Sequence, residues 1–213
     1  MAQLIPYPKQ LGLFPSFFAA QREDVVLKEK IFSMSGDNFS IKLVSGQPLF
    51  QVEGRVFSMS GRKKFMDMQG NHLFTIRKES IALHATFYGE DPNGIRLFEV
   101  KSKFSFGTSK AVCSFTSVDG AQERLLMKGW LGAFSLYFRV LTLPCPGNFL
   151  ASRAQITDEA TGQIVAAIDR QYFNSAQVFG DKQTYVVMIA PNVDMALVAA
   201  MCICLDEKRS EGN

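Results

Sequence analysis

The chain is poor in the side chains from which most catalytic and metal sites are built. Of 213 residues only two are histidine, His72 and His84, and four are cysteine, Cys113, Cys145, Cys202 and Cys204. No CxxC pair, HExxH, EF-hand pattern or glycine-rich phosphate loop occurs, which argues against nucleotide and metal chemistry. A Cys–His or Ser–His pair would have to arise from distant segments by folding. Cys202 and Cys204 stand two apart on an expected helix, so their side chains diverge and can neither bridge readily nor chelate one ion. The cysteines read as small core residues in a reducing compartment, with Cys145, between Pro144 and Pro146, as a loop cysteine. Excess charge of one sign is missing too. The 23 Lys and Arg against 20 Asp and Glu leave a net charge of +3, and no dense basic run marks a nucleic-acid binder. The expectation is a protein without catalytic residues, metal or cofactor.

Long apolar runs are also scarce, with one exception. Residues 193–205, Val-Asp-Met-Ala-Leu-Val-Ala-Ala-Met-Cys-Ile-Cys-Leu, are apolar almost throughout. Ala, Leu and Met favour helix, and a helix apolar on every side must be enclosed on every side. Pro191 marks its start and Asp206-Glu207-Lys208-Arg209 its solvated stop. Asn192 can cap it, and Asp194 suits its positive end. The stretch from Tyr185 to Leu205 is long enough for a membrane crossing, at about 20 residues each. Pro191, Asn192 and Asp194 at its centre argue against insertion, one central Asp costing about 2.5–3.5 kcal/mol. The preferred parse is a strand at Tyr185 to Ile189, a turn at Pro191-Asn192, and a helix of about 13 residues, too short to cross. Leu11 to Ala20 resembles a thin signal core, but Pro15 interrupts it. It reads instead as an extended arm held by Pro6, Pro8 and Pro15, whose phenylalanines dock elsewhere.

What the chain has in quantity is alternation. Hydrophobic residues make up 47% and aromatics 12%, enough for one large β domain. Phe98, Val100, Phe104 and Phe106 share one parity, with Glu99, Lys101 and Lys103 on the other; Phe134, Leu136, Phe138 and Val140 repeat the pattern. Further strands are expected near 39–44, 48–56, 63–68, 73–78, 81–88, 110–116, 123–130, 149–156, 163–172 and 184–189. Turn signals separate them at Asp91-Pro-Asn-Gly94, Val118-Asp-Gly120, Pro144-Cys-Pro-Gly147 and Thr161-Gly162. Phe32-Ser-Met-Ser-Gly36 recurs as Phe57-Ser-Met-Ser-Gly61, and turns at Ser45-Gly46-Gln47 and Gln69-Gly70-Asn71 follow, so a hairpin repeats after about 25 residues. About a dozen strands suggest a barrel or a sandwich. A sandwich is filled by its own side chains, so the apolar helix favours a barrel.

The segments GDNFSIKLVSGQPLFQVEG, GRKKFMDMQGNHLFTIRKE, TDEATGQIVAAIDRQY and TYVVMIAPNVDMALVAAMCICLDE together resemble the LURP-one-related family, over roughly residues 25–207. Its strongest pieces are the Asp67-Met-Gln-Gly-Asn71 turn with Leu73-Phe-Thr-Ile-Arg-Lys78, and the closing strand, Pro-Asn-Val-Asp and apolar helix. The resemblance implies a mainly β fold, a tubby-like antiparallel β-barrel of about twelve strands enclosing a central hydrophobic C-terminal helix. Residues 1–24 would be an N-terminal arm, 25–207 the barrel and 208–213 a polar tail. Tubby domains bind phosphoinositides and phospholipid scramblases act at membranes, so the resemblance also implies a non-enzymatic binding module, cytoplasmic and peripheral at membranes. Its expected partners are anionic membrane lipid or an unidentified protein, with no nucleic acid and no metal. A scaffold in a stress or defence response and a scramblase-like inserted protein are the alternatives.

The candidate ligand-binding residues, for an anionic headgroup, are basic. If Asp67 lies opposite His72, then Lys64 faces Thr75 and Arg62 faces Arg77, all on one side, with Phe65, Phe74 and Ile76 on the other. Opposed like charges destabilise a strand pair, and an anion would relieve them. Lys101 and Lys103, with Lys110 across a Ser-Phe-Gly-Thr-Ser turn, form a second basic strip able to meet an acidic membrane. Both could equally be the solvated outer face of the sheet. His84 is expected in a strand, Trp130 in the core, and Asn38-Phe-Ser40 matches a glycosylation sequon but reads as a turn.

Overall fold

The computed structural model describes residues 4–28, 39–54, 62–81, 84–103, 110–128, 153–169 and 184–210. Twelve antiparallel strands follow one another around a closed barrel: β1 (Glu23–Lys28), β2 (Phe39–Leu43), β3 (Pro48–Gly54), β4 (Lys63–Asp67), β5 (His72–Lys78), β6 (Thr86–Glu90), β7 (Arg96–Lys103), β8 (Lys110–Thr116), β9 (Gln122–Lys128), β10 (Arg153–Asp158), β11 (Ile164–Asp169) and β12 (Thr184–Ile189). The first strand pairs with both β2 and β12, which removes the free edges that an open sheet would leave. Strands such as β3, β5 and β7 alternate because one face meets the interior and the other meets water, whereas β12 is buried at every position from Tyr185 to Ile189.

The interior is filled by a single α-helix, α1 (Met195–Ser210). Every residue from Met195 to Cys204 is buried, as the absence of a polar stripe requires. At 16 residues it exceeds the expected 13, and it runs through positions 208–210, where a polar tail is expected. None of the described helices is long and apolar enough to cross a membrane.

The lining is asymmetric. Phe50, Phe65, Phe74 and Phe98, on β3, β4, β5 and β7, form a run of rings with centroids 4.6–5.3 Å apart. Phe98 lies over Gly89 on β6, where an added Cβ would come within 2.1 Å of the ring. The opposite wall, β10 to β12, is lined by small aliphatics such as Ala154, Ile156, Ala166 and Val187.

The turns joining β2 to β3, β4 to β5, β6 to β7 and β8 to β9 share one construction. The amide of Gly46, Gly70, Gly94 or Gly120 donates to the carbonyl three residues earlier, and the glycine has positive φ, as in a type I turn closed by a one-residue bulge. The bulge corrects one expected register. Lys64 does face Thr75, but the ladder shifts between Phe65 and Met66, so His72 pairs with Met66 and not with Asp67. Asp67 instead caps the turn, accepting N–H bonds from Gln69 and Asn71 and a 2.7 Å bond from the Asn71 side chain. Two further expectations need correction. His84 lies in a bend before β6, not in a strand. Asn192 does not cap α1: its φ of 68° turns its side chain toward the Tyr7 carbonyl, and Asp194 is the cap. The FSMSG copies, the strand expected at 134–140, Trp130, Cys145, and Asn38 of the sequon lie outside the described residues.

Candidate functional site: a basic wall and a sealed mouth

The five candidate cations occupy two parts of the outer wall. Arg62 is exposed and lies one residue before β4, level with Arg77 only beyond the end of the ladder. Lys64 stands between Glu53 on β3 and Thr75 on β5, so its neighbour on one side is acidic. Arg77 is opposite Tyr88 and forms an ion pair with Glu90. Nearby Arg96 lies over the Tyr88 ring at 4.0 Å and pairs with both Glu79 and Glu99. Carboxylates from β3 and β6 thus interleave with Lys64 and Arg77.

The like-charge arrangement occurs on the second strip instead. Lys101 faces Thr86 on one side and Val112 on the other, and pairs with Glu99 at 2.8 Å. Two residues on, Lys103 is directly opposite Lys110, and Lys110 is directly opposite Lys128. Three lysines on consecutive strands thus lie in one row on the outer face. Opposed residues on one face have Cβ atoms about 4.5–5.5 Å apart, so this row carries unfavourable self-repulsion. Among the described residues neither Lys110 nor Lys128 has an ion-pair partner. Lys103 donates to Glu159 at 3.1 Å, and the other oxygen of Glu159 takes Arg124 Nε at 2.9 Å. Lys128 was missed in the sequence because 123–130 reads as a strand with no sign of which neighbour it meets.

A second polar constellation closes the barrel at the turn side. Residues 4–22 form an arm that crosses the mouth and buries Leu4, Tyr7, Leu11 and Ala19. Phe17 packs against Phe50 at one end of the ring run, and Phe14 stacks on Phe74 within it. The fully buried Asp194 joins arm to helix. Its Oδ1 accepts the N–H groups of Ala196 and Leu197, and its Oδ2 those of Leu13 and Phe14 at 2.9 and 3.0 Å. Burial pushes its pKa up to about 6 against the four N–H bonds that oppose it. Gly12 permits the approach: a Cβ there would fall 2.1 Å from that of Asp194. Tyr7 donates to Asp158 at 3.0 Å, and burial with that carboxylate raises the phenol to about 12. Burial raises the Asp158 carboxyl as well, but bonds from Thr161, Ala160 and Tyr7 outweigh it and leave it low. Lys9 reaches Asp119 and Glu123 at 2.6 and 2.7 Å.

No cluster of three His, Cys, Asp or Glu suited to a metal occurs among the described residues. Cys113, Cys202 and Cys204 are buried, and burial pushes the Cys113 thiol well up, which makes it a poor nucleophile.

A closed twelve-stranded barrel around one buried helix defines the class of domain. The LURP-one-related family model matches residues 23–206, and the chain belongs to that family. Protein LURP-one-related 15 of Arabidopsis thaliana is 24% identical over 212 residues, 97% of this chain and 90% of that protein. Protein LURP-one-related 10 of the same plant is 21% identical, over 92% and 95% of the two chains. An X-ray structure of an Arabidopsis thaliana protein, 20% identical, matches with a TM-score of 0.54 over 94% of this chain and 99% of that one. At that identity the likeness concerns the fold alone.

Proposed function

We propose that the protein is a non-enzymatic intracellular binding module whose outer wall contacts anionic phospholipid, phosphoinositide included, at membrane surfaces. The observation that supports this is the row Lys103, Lys110 and Lys128. A folded protein lowers its energy by interleaving opposite charges, as it does around Arg77 and Lys64. A row of opposed cations is weakly unfavourable in isolation and becomes favourable when an external anion sits on it. Each lysine near an acidic bilayer contributes about 1 kcal/mol. Lys101 and Lys103 of the original strip stay in this reading, while Arg62, Lys64 and Arg77 lose weight because acids surround two of them.

Sedimentation with vesicles of phosphatidylcholine, with and without phosphatidylserine or a phosphoinositide, tests the reading. Binding that requires the anionic lipid, falls with salt and is lost in the Lys110→Glu/Lys128→Glu double variant is expected. Equal recovery with neutral vesicles, or binding indifferent to those two reversals, would overturn it.

A further inference from the structure

The second oxygen and the second cation at Glu159 give the basic wall a built-in occupant. Its carboxylate lies between Lys103 Nζ at 3.1 Å and Arg124 Nε at 2.9 Å, cations from β7 and β9 that flank β8. Two oxygens shared between two cationic donors is also the way a phosphate is held.

Nothing in the fold requires the Glu159 side chain to stay there. The β10–β11 turn that carries it is set by its neighbour: Asp158 accepts bonds from the Ala160 amide, the Thr161 amide and hydroxyl, and the Tyr7 hydroxyl. The Glu159 amide donates to the Arg124 carbonyl through backbone alone. Side-chain exposures of 46% for Lys103, 55% for Arg124 and 28% for Glu159 make the pairs solvent-screened and weak. The carboxylate can leave without unmaking strand, turn or core. Lys110 and Lys128, in the same row as Lys103, supply further positive charge with no carboxylate of their own among the described residues.

We propose that the Glu159 carboxylate is an internal competitor in an anion subsite formed by Lys103 and Arg124 and extended by Lys110 and Lys128, displaced by a phosphate of an anionic lipid surface. This rests on the reading of the wall given above. It adds a regulatory consequence: affinity is set below what the cations alone would give, and any change that withdraws Glu159 raises it.

Vesicle sedimentation of the full chain with Glu159→Gln tests this, with Glu53→Gln as a control that removes one negative charge beside Lys64. Glu159→Gln should tighten binding to anionic vesicles about tenfold or more, against no more than about fivefold for Glu53→Gln, the general effect of one lost charge near the surface. A binding wild type with equal effects from the two variants overturns the competitor role and leaves the wall reading standing. A wild type that binds anionic vesicles weakly beside a Glu159→Gln variant that binds them firmly supports it most directly. Failure of both, at low salt, overturns the competitor and the wall reading together. Soluble inositol phosphate offered in place of vesicles separates the sources: tightening there but not on vesicles places a free phosphate compound in the subsite and overturns the lipid assignment.

Discussion

At the turn-side mouth, a buried carboxylate takes four N–H bonds, a buried phenol meets a carboxylate, and an exposed lysine is held by two acids. On the β7–β9 wall, three lysines face one another across adjacent strands, and among the described residues one carboxylate serves two cations while two lysines have none. The mouth is matched group by group, which is what buried polar atoms need if they are not to destabilise the fold. The wall is left electrostatically incomplete where water can tolerate it. The difference separates charge used to hold the molecule together from charge available to something outside it, and substitutions should respond with opposite signs in the two regions.

Breaking the mouth should give the largest effect. Removing residues 1–22 takes Phe17 and Phe14 off Phe50 and Phe74 and withdraws two of the four N–H donors from Asp194. Leu11→Ala alone, at a residue with no exposure, should cost about 2–5 kcal/mol in chemical denaturation. The truncation should cost more, a large part of the roughly 5–15 kcal/mol typical of a domain. A truncated chain as stable as the full one would show that the arm is an accessory to the barrel and not part of its core.

Asp194→Asn should come next, at about 2–4 kcal/mol. An asparagine oxygen can still cap Ala196 and Leu197, but its NH2 group cannot accept from Leu13 and Phe14, which leaves two arm amides without their partner. Amide exchange should therefore quicken at Leu13 and Phe14 while the first turn of α1 stays protected. Equal loss of protection in both places would mean that the arm and helix open together.

The same carboxylate gives the mouth a pH signature. With a folded pKa of about 6 against an ordinary value of 3.8, folded Asp194 holds its proton more tightly than unfolded Asp194. Its charged form therefore opposes folding at neutral pH, and this cost fades as pH falls through 6, by up to about 3 kcal/mol near pH 4. Asp67, Asp91 and Asp158 run the other way: their pKa values are lowered, so their stabilisation is lost as pH falls below their unfolded values. Stability should peak between pH 4 and 6, and Asp194→Asn should flatten the rise between 7 and 5. A wild-type curve that falls steadily from pH 7 would contradict the raised value.

Much of the fold was legible in the chain, and the reasons differ from element to element. The helix could be read because ten consecutive buried positions, Met195 to Cys204, leave no polar face. The strands could be read because alternation follows directly from a two-sided wall. The register shifts could not: one extra residue in the β2–β3, β4–β5 and β6–β7 ladders changes which residues meet without changing composition, and His72 faces Met66 for that reason. Nor could the choice between Asn192 and Asp194 as cap, which depends on a left-handed φ at Asn192. The basic wall was half legible. Parity put Lys101 and Lys103 on the outside, but Lys110 meets Lys128 across 18 positions of sequence, and the carboxylates that neutralise Arg77 and Lys64 come from other strands.

The smallest effect has the opposite sign. Lys110 stands between two lysines in direct opposition, and Thr, β-branched and uncharged, suits a strand at an outward position. Lys110→Thr should therefore raise stability by a few tenths of a kcal/mol to about 1 kcal/mol at low salt, with the gain shrinking as salt screens the repulsion. Lys64→Thr is the counterpart: Lys64 faces Glu53, so the same change there should leave stability level or slightly lower it. The pair isolates the charge environment, since residue type, strand position and substituent are alike. Two gains of equal size would mean that threonine propensity alone is being measured, and the wall would lose its claim to be electrostatically incomplete. A gain at Lys110 that disappears at high salt, beside none at Lys64, would show that the barrel bears a standing repulsion between lysines on β7–β9 that the interleaved charges around Lys64 do not.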